Sequence, residues 1–368
     1  MFDDTEHFWD TDYFSDYIYD DAQQIFAPQQ GPTGQQNAQQ RTIDVNGYAF
    51  PNISDEVLNN TLPNLTFLSI FSYQVKPDGT LTPIDDTELI AKARAAGVAP
   101  MMVITDIKEE GGFSSDIAHE ILTDPQTQQT LLNNVVNTLK AKNYYGLDID
   151  FEYIYPDDRE AYNKFLQTVV DRLHPLGYIV VSALAPKTSG DQQGLLYEAH
   201  DYPVHGRLLD HVILMTYEWG YTYGPPMAVA PIDQVRRVLD YAVDVIPSEK
   251  ILMGMPNYGY DWTLPYKQGT AARSLSFAQA RELAQKEGAE IKFDDTTQAP
   301  YFNYTDDAGI EHVVWFDNEA SIRARLGLVD EYNLGGVSYW TINRYSPETF
   351  TVLNDMYNVN KLLTPAQK

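Results

Sequence analysis

The chain has 368 residues, 43% of them hydrophobic, which is ample for a sizeable core. Lys and Arg number 25 against 52 Asp and Glu, and the formal net charge of −27 argues against a nucleic-acid or anionic-membrane partner, since either needs a basic surface. The absence of cysteine excludes disulfides, thiolate metal sites and a cysteine nucleophile, and no apolar run approaches the roughly 20 residues that span a bilayer.

Residues 1–41 differ from the rest. Asp3, Asp4, Glu6, Asp10, Asp12, Asp16, Asp20 and Asp21 are interleaved with Phe8, Trp9, Tyr13, Phe14, Tyr17 and Tyr19, and a Gln-rich stretch with Pro28, Gly31, Pro32 and Gly34 follows. This composition reads as a disordered acidic tail and a flexible linker. The aromatics also suit a docking peptide that folds on a protein partner. The first basic residue is Arg41, so no basic n-region marks a secretory signal, and the expectation is cytoplasmic synthesis.

From residue 42 short apolar strands alternate with helical stretches. Strands are predicted at 42–50, 65–73, 98–105, 144–152, 178–186, 211–218, 251–259 and 335–342. Helices are predicted at 86–96, 126–142, 157–176, 232–245 and 318–332, several of them opened by Asp, Asn or Pro. Eight strands in such alternation predict an α/β fold, a (β/α)8 barrel. The rival, a doubly wound open sheet, is weakened because no Gly-rich nucleotide loop opens a helix after the first strand. Residues 260–317 are too long for a simple connection and hold a helical stretch at 277–286 with strand-like pieces near 291–293, 301–304 and 312–316. They predict a small α+β insertion between strands 7 and 8. The catalytic barrel is thus expected over 42–360, with a short tail at 361–368.

The most informative stretch is Tyr145-Gly146-Leu147-Asp148-Ile149-Asp150-Phe151-Glu152. Strand side chains alternate, so Asp148, Asp150 and Glu152 share one face and Leu147, Ile149 and Phe151 the other. With the apolar set against the helices, the carboxylates point into the barrel. Like charges held so close cannot all ionise, and at least one pKa must rise. An acid catalyst near neutral pH needs such coupling. Glu152, nearest the C-terminal mouth where barrel active sites lie, is placed to protonate a leaving oxygen. A divalent metal held by the three carboxylates is an alternative, but neither a His nor a further carboxylate stands at ligand spacing, so no metal and no cofactor is expected.

At these residues the sequence resembles glycoside hydrolase family 18, whose fourth-strand motif is DxxDxDxE; Tyr145 stands in place of its first Asp. Ser182-Ala183-Leu184-Ala185-Pro186, Met215-Thr216-Tyr217-Glu218, Gly254-Met255-Pro256-Asn257-Tyr258-Gly259 with Trp262, and Gly335-Gly336-Val337-Ser338-Tyr339-Trp340 resemble its later strand motifs, in order. The segment from Met215 to Ala228 is similar to the branch of bacterial spore-cortex-lytic N-acetylglucosaminidases, although no LysM wall-binding repeat is visible. The resemblance implies a glycosidase of peptidoglycan or chitin-like glycans with substrate-assisted chemistry, and association with the spore. It implies Glu152 as acid and base, Asp150 as holder of the substrate acetamido group, Asp148 as proton partner, Tyr217 as a donor to the acetamido oxygen and Trp340 as the sugar floor. Tyr48, Glu218, Asn257 and Tyr258 are expected as rim contacts. The alternatives are a non-catalytic glycan-binding relative, against which Glu152 argues, and a metal-dependent hydrolase.

Overall fold

The computed structural model of the protein describes residues 40–364. The first seven strands are β1 (Thr42–Ala49), β2 (Phe67–Gln74), β3 (Ala99–Thr105), β4 (Gly146–Asp150), β5 (Ile179–Leu184), β6 (His211–Leu214) and β7 (Ile251–Pro256). Each pairs in parallel with the one before. The chain then leaves the barrel for β8 (Gly259–Leu264), β9 (Arg273–Leu275), β10 (Lys292–Asp294), β11 (Ala299–Thr305) and β12 (Glu311–Trp315), before β13 (Gly336–Trp340) returns as the eighth barrel strand. β13 pairs in parallel with β7 and with β1, which closes the barrel. A two-residue β14 (Asn358–Val359) adds to the start of β1. The (β/α)8 barrel with an insertion between the seventh and eighth strands is therefore the observed fold.

The outer layer is α1 (Asp55–Thr61), α2 (Thr87–Ala95), α3 (Ser115–Thr123), α4 (Pro125–Lys142), α5 (Arg159–Leu173), α6 (Tyr202–Leu208) and α7 (Ile232–Val245), then α8 (Phe277–Lys286) in the insertion, α9 (Glu319–Glu331) and α10 (Pro347–Met356). Their starts are legible in residue type. Ser54, Ser114, Asp124, Asp201, Ser276 and Asn318 each accept a backbone N–H of the first turn. α4 stops at Asn143, which adopts the left-handed conformation at φ 61°. The short α1, α3 and α6 lie outside the predicted helices, because seven to nine residues carry too little periodicity to stand out.

The insertion is an antiparallel five-stranded sheet in the order β10-β11-β12-β8-β9. Gly259 is where it leaves the barrel: a Cβ there would come within 2.4 Å of the Trp315 carbonyl, so the crossing with β12 needs glycine. Gln40 and Arg41, expected in the linker, are tied to the barrel body, Gln40 Nε2 donating to Asp355 O at 2.7 Å and Arg41 Nη1 to Val329 O at 3.0 Å. Lys361, expected in the tail, donates to Leu62 O at 3.0 Å. The acidic aromatic segment and its proposed protein partner fall on residues 1–39, outside the described residues.

Candidate active site

The three acids of the fourth strand lie in the barrel interior, all at most 5% exposed. β4 ends at Asp150, so Glu152 stands two residues beyond the last paired position rather than on the strand itself. Its backbone is held from both sides. The Glu152 N–H donates to Asp106 Oδ1 at 3.1 Å, and the preceding carbonyl, of Phe151, accepts from His200 Nε2 at 3.0 Å. His200 Nδ1 accepts from the Ala185 N–H at 2.9 Å, which leaves Nε2 as the protonated nitrogen. Burial lowers the His200 pKa to about 4, so the ring stays neutral. The Phe151 ring faces outward and stacks on Tyr162 and Phe165 of α5, with centroids 6.4 and 6.0 Å away. Alternation thus sends the apolar side chains to the helix layer and the acids inward.

Below Glu152 the carboxyls sit in a polar layer. Ser69 Oγ lies 3.0 Å from both Asp148 Oδ2 and Asn46 Oδ1, and Asn46 Nδ2 donates to Ser338 Oγ at 2.9 Å. β1, β2, β4 and β13 meet through these contacts. Burial pushes Asp148 up to about 6, although Tyr48 and Ser69 favour its ionised form. Burial first, and then the neighbouring Asp148 charge, hold Asp150 well above the usual carboxylate range. Two such groups in a dry interior do not readily both ionise.

Above the acids is an aromatic cup. Trp340, at the end of β13, meets Tyr48 at 5.4 Å, Phe50 at 5.8 Å and Phe71 at 4.9 Å between ring centroids, all edge to face. Tyr217 lies three residues past the end of β6, fully buried, and burial followed by the Asp150 and Glu152 charges raises its phenol well above the ordinary value, so it is a donor at all ordinary pH. Its ring fits because β7 carries Gly254, where a Cβ would stand 2.8 Å from Tyr217 Cε1 and 2.4 Å from Leu214 O. Tyr48, Phe71, Phe113, Asp150, Glu152, Ala183, Met215, Tyr217 and Trp340 line this cup.

A second, larger pocket of about 170 Å³ opens off Glu152, Met215 and Tyr217. Its far walls come from the connections after β5 and β6 and from the first turns of α7. Glu218 lines it at φ +66°, a conformation a non-glycine residue adopts only when its surroundings hold it there. Tyr258 and Tyr260 donate to its carboxylate, the latter at 3.0 Å, and burial lifts the Glu218 pKa to about 8.

The structure gathers Glu152, Asp150, Tyr217, Trp340 and Tyr48 around the cup, with Asp148 buried in the polar layer below it. The expected rim contacts are placed differently. Tyr48 is buried against Trp340 and the acid layer. Asn257 is buried, and its Nδ2 donates to Thr341 O at 3.2 Å and to Arg344 O, so it braces the loop after β13. Tyr258 is also buried and reaches the site only through Glu218. All three are buried rather than at a rim, Tyr48 on β1 and the other two in the connection from β7 to β8. Tyr145, in place of an acid, begins the motif at the partly exposed far end and lies beside Phe67.

Several residues that line or brace the site are not marked by the sequence motifs. Asp106 carried a signal, an acid one residue past an apolar strand at the barrel's mouth. His200, Gln192, Tyr197, Gln234 and Arg237 carried none, since they arrive from connections and a helix.

A closed parallel barrel with a file of buried acids beneath an aromatic cup at its mouth defines a barrel glycosidase. Residues 29–344 match the profile of glycosyl hydrolases family 18, and the chain belongs to that family. It is 43% identical over 331 residues to the cortical fragment-lytic enzyme of Bacillus subtilis, covering 88% of this chain and 77% of that protein. The crystal structure of the Bacillus cereus spore cortex-lytic enzyme SleL superposes with a TM-score of 0.86 at 38% identity, covering 93% of this chain and 78% of that one. The corresponding Bacillus megaterium enzyme gives 0.85 at 39%, covering 89% and 77%. The chain is a glycosidase of N-acetylglucosamine-containing glycans.

Proposed function

We propose that the chain hydrolyses β-1,4 bonds on the reducing side of N-acetylglucosamine in spore-cortex peptidoglycan, with retention, using the substrate's own acetamido group as nucleophile. The observation that carries this reading is the buried Asp148 and Asp150 pair beneath Glu152. A carboxyl that keeps its proton is a poor nucleophile and a good hydrogen-bond donor. The attacking atom must then come from elsewhere, and a 2-acetamido sugar on Trp340 supplies one within itself.

In this scheme Glu152 gives its proton to the glycosidic oxygen as the acetamido carbonyl oxygen attacks the anomeric carbon. Tyr217 orients that oxygen by donating to it. Asp150 turns from Asp148 to the acetamido N–H and, as the proton passes to Asp148, stabilises the oxazolinium cation. Water, deprotonated by Glu152, then adds to the anomeric carbon from the face that the leaving group vacated, which gives retention. The kinship with cortex-lytic enzymes supports cortex over chitin and supports a place in the spore. The competing pair of chemistries separates by substrate. Glycans with the 2-acetamido group should turn over at least about 10³-fold faster than glycans with a free 2-amino group at that position. Equal rates would overturn substrate assistance.

A further inference from the structure

The second pocket adjoins the catalytic cup, the two sharing Glu152, Met215 and Tyr217 as lining residues. The bond that breaks must lie at Glu152. If the N-acetylglucosamine ring occupies the cup over Trp340, as the proposed function requires, the leaving sugar occupies the second pocket. Its walls are Pro186, Thr188, Gln192, Leu196 and Tyr197 on one side and Trp219, Gln234 and Arg237 on the other.

Arg237 is the only cation among these lining residues. It is exposed, one turn beyond Gln234 on α7, and Nη1 donates to the neutral Gln234 Oε1 at 3.2 Å. Among the described residues it forms no ion pair, whereas neighbouring Arg236 is paired with Glu331. The next nearest cation in sequence to the pocket, Lys187, is buried and donates to the carbonyl of His200 at 3.0 Å. Glu152 and Glu218, which also line the pocket, are acids, so no other lining residue offers an anion a positive partner. A neutral leaving sugar needs no cation there, but a leaving sugar with a carboxylate does.

We propose that Arg237 is a specificity-determining residue and that this pocket takes a leaving saccharide bearing a carboxylate on its ring substituent. The guanidinium fork matches a carboxylate with two donors. Two sources of that carboxylate share this chemistry, a lactyl ether directly on the sugar and the acidic groups of a peptide amide-linked to it.

The test compares kcat/KM of the wild type and of Arg237→Gln on three substrates: a disaccharide with a free lactyl ether on the leaving sugar, the same disaccharide with its lactyl group joined to a peptide stem, and a neutral chitooligosaccharide. The ratio of anionic to neutral kcat/KM should fall about tenfold in the variant, mainly through KM, and the fall should shrink as salt rises. Arg237→Glu should lower the ratio further. A fall confined to the first or second substrate identifies the source of the carboxylate. An unchanged ratio in both variants overturns the proposal. The inference rests on the proposed function, and the two fail differently: if the wild type cleaves none of the three substrates the function falls, whereas a wild type active on all three with an insensitive ratio removes only the role of Arg237.

Discussion

The cup over Trp340 and the side pocket share Glu152 yet are built in different ways. The cup is made by strand ends: Asp150 ends β4, Trp340 ends β13, and Tyr48 lies on β1. The side pocket is made by the connections after β5 and β6 and by one helix face. Barrel strands are hydrogen-bonded on both sides, so their residues hold fixed radial places. Connections take their shape from whatever they rest on. Here the loop after β6 rests on the insertion: Trp262 Nε1 donates to Gly224 O at 3.0 Å and Tyr266 Oη to Tyr223 O at 2.6 Å. The proposed chemistry therefore lies with the rigid part and the proposed selection with the part that an inserted sheet has shaped.

The largest effect should come from the residue that both regions share. Glu152→Gln should lower kcat by about 10³-fold or more on every substrate, with the unfolding temperature near that of the wild type. Near-normal turnover by that variant would break the division of labour outright.

Beneath the cup, Asp148→Asn should act through its neighbour Asp150. The Asp148 charge is one reason that Asp150 is held high, and burial, the larger reason, would remain. The variant's group should titrate lower, moving the associated limb of the kcat/KM profile toward acid by about one pH unit, with kcat down about tenfold to a hundredfold. A profile that does not move would show that the two acids are not coupled.

The smallest effect belongs to the side pocket. Glu218 is raised from 4.5 to about 8 in the fold. A raised carboxyl costs the folded state nothing below the unfolded value, and that cost builds as pH climbs through the window to the folded value. Glu218→Gln removes the titration and keeps an oxygen that accepts from Tyr258 and Tyr260. Its gain in unfolding temperature should therefore be near zero at pH 4, grow between pH 4.5 and 8, and level off at about 5–7 °C. A constant offset across that range would remove Glu218 from the account.

The predicted strands fall within a few residues of those observed, and the line of Asp148, Asp150 and Glu152 follows from alternation alone. The predicted helix at 277–286 coincides with α8. What was not legible came from distance. The Asp106 and His200 contacts that hold the Phe151–Glu152 peptide lie 46 and 49 residues away in the chain. Asn257 reads as a rim residue in its motif, and only its bonds to two carbonyls after β13 show it as a brace.

The sequence by itself determined the barrel, its insertion and the inward file of acids, because hydrophobic period and strand alternation are local properties written at a spacing of two to four residues. The tertiary structure alone decided which acids are held above their ordinary pKa, which aromatics form the cup and which cation lines the side pocket. Burial and through-space charge depend on what the fold brings alongside, and no local spacing records that.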